Sequence, residues 1–318
     1  MNDDSAVSQQ PTATNPGTAE ARVPVADVAA VPCPQCGAAS RAEPCPQCEG
    51  LPGSATTAWV YAIGRIVPRF PDLGVEKEFM QAGSGGLGGV LETDRLIAIL
   101  QQEEFRYLAR QLCWILHNGE SDALVLVCRD DTEAERLVNR MPDAETAERT
   151  IQVIVGSTTL GAIDTPCAAT GLPAVTIDQH LTFTIDQFIG ALAEAQHEGE
   201  SGREADGGDD DFRAAAKDLF ARLTRRSGNR GLSDEHRALN YIALRYPALY
   251  RVAADAHRDN KMLVDVLARR TQGKERKLVA VRLLFRGRRT DLLERYQCIV
   301  DVTDRFPFLS SSISQIYD

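Results

Sequence analysis

The 318-residue chain is 43% hydrophobic and 25% charged, with a formal net charge of −10. That length allows two domains or one domain in two lobes, and the composition is that of an ordinary soluble chain with a sizeable core. The acidic balance argues against a general nucleic-acid coat protein, and no apolar run approaches a membrane span; the most apolar, Ala123–Cys128, is strand-sized.

Residues 1–32 are rich in Ala, Thr, Ser, Gln and Pro without an apolar period, which predicts a disordered tail. The opening MNDDSAVSQQ lacks the basic and apolar regions of a signal peptide, so a cytoplasmic protein is expected. Pro-Cys-Pro-Gln-Cys then occurs twice, setting Cys33, Cys36, Cys45 and Cys48 in a C-x2-C-x8-C-x2-C pattern. The two-residue spacing lets both thiolates of a pair reach one ion, and Gly37 suits the tight turn that follows. Four thiolates fill tetrahedral Zn(II) with no open position, so a structural zinc ribbon is expected over residues 33–48. A redox dithiol is the alternative, but no βαβ pattern surrounds either pair. Residues 49–57 read as a linker.

A folded body is expected from residue 58. Trp59, Tyr61 and Ile63 alternate with Val60, Ala62 and Gly64, which predicts a strand ended by Pro68 and Pro71. Val75, Phe79 and Met80 recur at helical spacing. Gly83–Gly88 satisfies G-x-G-x-x-G but follows a helix rather than a strand, so it reads as a loop. Thr93–Glu104 reads as a helix capped by Thr93. Asn118-Gly119 signals a hairpin between the apolar runs Leu108–His117 and Ala123–Cys128. A helix over Asp131–Met141 should stop at Pro142; Ile151–Val155 and Ala174–Ile177 read as strands, and Thr184–Ala195 as a helix. The first lobe, residues 58–196, thus mixes short helices and strands.

Residues 197–211, HEGESGREADGGDDD, form an acidic, Gly-rich linker or loop. In the second lobe, residues 212–318, Phe212, Ala216, Leu219 and Leu223 mark one face of a helix. Ser233 caps the next, whose stripe is Leu239, Ile242, Ala243 and Tyr246, and Pro247 suits the first turn of a third. From Met262 the period switches to two, predicting an antiparallel meander over 262–268, 278–285 and 296–302. The expected class is α+β: a two-lobed body whose second lobe packs helices on a small antiparallel sheet.

Cys113, His117, Cys167, His180 and His236 are candidates for a second metal site. On a strand, Cys113 and His117 stand roughly 13 Å apart and cannot share one ion; buried free cysteines are the plainer reading. Lys261, Arg269, Arg270, Arg276, Arg282, Arg286 and their neighbours load the meander with positive charge. They could hold phosphates or an acidic peptide, or guard a sheet edge against aggregation. Phe285 is the lone aromatic among them, so base stacking has little support. Arg65, Arg69, Glu76 and Glu78 could bind a ligand or pair at a surface. No G-x-S-x-G elbow or subtilisin-type serine motif is present.

Four phrases carry a family likeness: VYAIGRIVPRFPDLGVEKEF (60–79), RYLARQLCW (106–114), DEHRALNYIALRYPALY (234–250) and DVTDRFPFL (301–309). Together, in matching order, they resemble the C-terminal domain of unknown function of the cyanobactin maturation proteases, the PatA/PatG family. The resemblance implies a place in the machinery for ribosomally made, post-translationally modified peptides. There a subtilisin-like domain cuts or macrocyclises the precursor, and this sequence carries no such domain. The expected role is a non-catalytic accessory or scaffold protein binding a subtilisin-like protease or precursor peptide, with Zn(II) as a structural cofactor. A zinc-ribbon nucleic-acid or transcription-related adaptor, and an unrecognised metalloenzyme, are the alternatives.

Overall fold

The computed structural model describes residues 31–32, 39–40, 58–82, 93–143, 145–158, 167, 170–197, 208–226, 228–271 and 276–317. The chain divides into two compact units, Met1–Glu49 and Gly50–Asp318. In the first, β1 (Val31–Pro32) pairs antiparallel with β2 (Ala39–Ser40). The rest of the expected tail, the four ribbon cysteines, the 49–57 linker, the Gly83–Gly88 loop and most of the acidic linker lie outside the described residues.

The second unit opens with β3 (Trp59–Arg69), and α1 (Leu73–Ala82) follows. The Asp72 carboxylate accepts from the backbone N–H groups of Gly74 and Val75 at 2.7 and 3.0 Å, satisfying donors that a helix start leaves free. Helix α2 (Thr93–Leu100) ends four residues short of the expected Glu104, because the chain tightens into 3₁₀ winding over Glu103–Arg110. That winding also takes the front of the apolar run from Leu108, so the next strand, β4 (Cys113–Asn118), is shorter than its apolar pattern. It turns through Asn118-Gly119 into β5 (Ser121–Val127), as the hairpin signal predicts. Helix α3 (Asp131–Asn139) is capped by Asp130, whose side chain accepts from Glu133 N at 2.8 Å. Strands β6 (Thr150–Thr158) and β7 (Ala174–Thr184) complete this part.

These strands close a barrel in the order β3-β4-β5-β7-β6, with β5 and β7 parallel and the other pairs antiparallel. A first strand paired with the second and fourth, and a helix between the third and fourth, is the topology of the oligonucleotide- and oligosaccharide-binding barrel. Sequence periodicity gave strands here but not closure, which depends on the non-local β5–β7 pairing.

Helices α4 (Ile185–His197), α5 (Gly208–Thr224), α6 (Asp234–Arg245) and α7 (Pro247–Arg258) come next. A four-stranded antiparallel sheet follows, β8 (Lys261–Arg270), β9 (Leu278–Gly287), β10 (Leu293–Asp301) and β11 (Phe308–Ile316), in the order β11-β10-β9-β8. The mixed α+β class therefore stands. Strand β3 serves two cores. Val60, Ala62 and Ile66 join Phe79, Leu96 and Leu137 of α1–α3 in one. Tyr61 and Ile63 join Leu219, Leu239 and Leu249 of the later helices, with Val281 and Phe285 of the sheet, in the other. The period-two alternation separates core from core instead of core from water.

The long family-like phrases converge at this junction. Asn240 Nδ2 donates to Tyr61 O at 2.8 Å, and Asn229 Nδ2 donates to Asn240 Oδ1 at 2.8 Å. Arg237, one helical turn before Asn240, donates to Val302 O at 2.6 Å and Arg305 O at 3.2 Å, and also to Asp304 O. Arg305 in turn pairs with Asp178 of β7 and lies over the Trp59 ring, 5.6 Å from its centroid. Residues from 60–79, 234–250 and 301–309 are thus held together by buried polar contacts.

Candidate functional site

The structure scatters the body's metal-site candidates. Cys113 and Cys167 are joined in a disulfide with Cα atoms 5.4 Å apart, so neither is the free thiol or thiolate ligand that the sequence suggests. Scattered cysteines look alike in sequence whether free or bonded; only the approach of Cys167 to Cys113 on β4 decides it. His180 is buried in the barrel, with Nε2 3.1 Å from Thr182 Oγ1 and 3.4 Å from Gln152 Nε2. Gln152 Oε1 already accepts from Ile66 N at 2.6 Å, so its amide nitrogen is left to donate to His180 Nε2. Burial, reinforced by Arg140, pushes the His180 imidazole down to about 4. His236 sits in the first turn of α6, where Ser233 Oγ accepts from its backbone N–H and burial lowers its side-chain pKa. Among the described residues, no three His, Cys, Asp or Glu side chains are grouped to hold a metal ion.

The positive meander is partly neutralised by its own neighbours. Lys261 Nζ lies 2.8 Å from Glu294 and 3.0 Å from Asp259, and those carboxylates raise its pKa. Arg270 pairs with Asp234 at 3.1 Å, Arg276 with Asp301 at 3.6 Å, and Arg282 donates to Gln297 at 2.7 Å.

A cleft of about 550 Å³ lies instead beside the barrel, where β3, the β4–β5 hairpin, the start of β6 and helix α5 meet. Ile151 and Ile185 supply apolar surface over the buried Ile63 and Phe220, and Arg65, Arg149, Lys217 and Arg225 supply cations against the single lining acid Glu148. Local folding fixes the walls. Asn118 Nδ2 donates to Ile63 O at 3.2 Å and Thr224 O at 2.9 Å, tying the hairpin to β3 and to the end of α5. Gly64 permits the close approach of β3 and β4, since a Cβ there would stand 2.0 Å from His117 O.

His117 forms one side of the cleft. Its Nε2 lies 3.1 Å from Asp122 Oδ1, and Arg69 grips the same carboxylate at 2.6 and 2.9 Å. Burial lowers the His117 pKa; Asp122 opposes the shift, while Arg69 and Arg65 add to it. The cleft's two threonine hydroxyls are committed to the backbone, Thr150 to Thr146 O and Thr224 to Phe220 O, each at 2.8 Å. The arrangement suits holding an anion with apolar parts better than attacking one. Arg65, Arg69, Glu76 and Glu78 are near one another in sequence. The fold separates them: Arg65 lines the cleft, Arg69 pairs with Asp122, and Glu78 accepts from Tyr107 Oη at 2.8 Å.

Comparison with known proteins agrees with this fold. The family described as PatG Domain matches residues 59–248, and the one described as PatG C-terminal matches residues 206–316. A solved structure described as "PatG Domain of Unknown Function" is similar, with a TM-score of 0.62 and 16% identity over 82% of this chain and 99% of that one. No curated protein matches the chain.

Proposed function

The chain belongs to the PatG domain family, and from that premise we propose that it is a non-catalytic accessory or scaffold protein of a cyanobactin-like peptide maturation system. In this reading it binds a subtilisin-like protease or a precursor peptide in trans. The observation that carries it is the family match across residues 59–248. The cleft supports it: an anion-suited groove is a natural holding site for a peptide.

The barrel topology invites the rival reading of a nucleic-acid adaptor, since such barrels bind oligonucleotides on the face of their second and third strands. Here those strands are β4 and β5. Their outward Ile115 and Val125 are buried in a cluster with Cys113 and Cys167, against which Leu172 and Ala174 pack. That face carries no stacking aromatic among its described residues, so peptide binding is the better reading.

Cys33, Cys36, Cys45 and Cys48 are assigned to one structural Zn(II). The β1–β2 ladder supports this, because its paired residues, Val31 with Ser40 and Pro32 with Ala39, flank the first cysteine pair in sequence. The proposed layout keeps two lobes, residues 58–196 and 212–318, around the acidic 197–211 connection, whose first residue ends α4 and whose residues 208–211 begin α5. No helix among the described residues is long and apolar enough to cross a membrane. Crowded cysteine pairs suit the reducing cytoplasm, and on them we place the protein there; the Cys113–Cys167 disulfide is the observation that points the other way.

Calorimetric titration of the full chain with a cyanobactin-type precursor peptide, and separately with a subtilisin-like maturation protease, tests the reading. Micromolar binding of either is expected; binding of neither defeats it.

A further inference from the structure

Building on the accessory-protein reading, we propose that the cleft beside helix α5 binds an acidic, apolar-interleaved segment of peptide, with Arg65, Arg149, Lys217 and Arg225 taking its carboxylates. Charge is the first argument. The chain as a whole carries −10, yet the cleft is lined by four cations and one acid. A local reversal against the global field concentrates anions at that place.

These cations are also little used by the protein. Lys217 pairs with Asp186 at 2.7 Å, an exposed contact of small worth. Arg149 donates to the backbone oxygen of Glu145 at 3.4 Å and otherwise adds only to the positive field that lowers the Asp186 pKa, among the described residues. Among the described residues, neither Arg65 nor Arg225 has an acidic partner. The meander's Lys261, Arg270 and Arg276, by contrast, are matched by carboxylates.

Shape and surface narrow the ligand. A volume of about 550 Å³ lies within the usual range for binding pockets and has room for a short run of residues. Ile151 and Ile185, both half-buried, give apolar side chains a place between the cations. Nucleic acid fits less well: Phe220, the aromatic of the lining, is 4% exposed and cannot stack on a base. Asn118 holds the hairpin wall to both β3 and α5, so the groove needs little ordering when it binds.

The test uses the full chain and a short fluorescent peptide alternating glutamate with leucine, read by anisotropy. Its controls are the same peptide with glutamine for glutamate and a single-stranded oligothymidylate. The acidic peptide should bind and weaken steeply with salt. The glutamine peptide, and the double variant Arg65→Ala with Arg225→Ala, should each lose at least about tenfold in affinity. Arg65→Lys with Arg225→Lys should keep most of it, and all variants should melt as the parent does, because both side chains are exposed. The proposal is overturned if the acidic peptide does not bind, if the alanine variant binds it unchanged, or if the oligonucleotide binds more tightly. The two readings fail separately. Precursor binding that ignores the alanine variant removes this site alone, whereas acidic-peptide binding without precursor or protease binding removes the pathway role alone.

Discussion

Asn240 on α6 donates its side-chain amide to the backbone oxygen of Tyr61 on β3 at 2.8 Å, across a separation of 179 residues. Both groups are buried, and Asn240 also bonds to Asn229. One amide therefore joins the barrel strand that two cores share to the helix whose Arg237 holds the β10–β11 turn. Asn240→Ala strands a carbonyl and part of the Asn229 amide. A loss of about 2–3 kcal/mol in urea unfolding is expected, with an unchanged slope.

Gly231 makes the neighbouring contact, its oxygen accepting from Tyr61 N at 3.0 Å with its φ at 70°. A Cβ here would stand 2.4 Å from Tyr61 O, and the backbone at that position cannot give way without breaking the pairing. Gly231→Ala should cost roughly 2 kcal/mol or more by combining a clash with left-handed strain, and thermal unfolding will measure it.

His180 gives the body an acid-sensitive stability. Its imidazole titrates near 6.5 when unfolded but only at about 4 when folded, because burial penalises the charged ring. Above pH 6.5 both states are neutral and the protein has its full stability. Between 6.5 and 4 the unfolded chain takes the proton first, so stability falls, by on the order of 3 kcal/mol, and levels off below. His236, also lowered by burial, works in the same direction. Urea midpoints across this range should fall more steeply in the parent than in His180→Gln; equal slopes would contradict the assignment.

The Cys113–Cys167 bond closes a loop of 54 residues. In the chain-entropy picture its removal costs at most about 4 kcal/mol. Alkylation of the native, unreduced protein should leave both sulfurs unmodified. Cys128 and Cys298 should react slowly, since burial pushes their thiols up to about 12. Reduction should lower the unfolding midpoint; an unchanged midpoint would mean the bond does not constrain the unfolded chain.

For the tetracysteine segment, elemental analysis should find one zinc per chain, lost when Cys33, Cys36, Cys45 and Cys48 are changed to serine. Zinc retained by that variant would place a metal in the body and revive the metalloenzyme reading.

What the sequence made legible was local. Alternation in Trp59–Gly64 located β3, Asn118-Gly119 located the hairpin, and Ser233 located the start of α6, each through chemistry confined to a few neighbours. Barrel closure was hidden, because the parallel pairing of Val125–Val127 with Ala174–Thr176 depends on nothing near either strand. The cleft was hidden for the same reason. Arg65, Arg149 and Arg225 look like ordinary surface cations until three distant segments bring them together. The family-like phrases were legible as words, and their physical sense, shared polar contacts at one junction, came only with the fold.

In the proposed role this body binds a component of a peptide maturation system. Amide hydrogen exchange of the full chain, with and without a cyanobactin-type precursor peptide or a subtilisin-like maturation protease, decides it. Protection is expected in the segments that build the cleft, residues 148–151 and 217–225. Exchange left unchanged throughout the chain by both partners would contradict the claim.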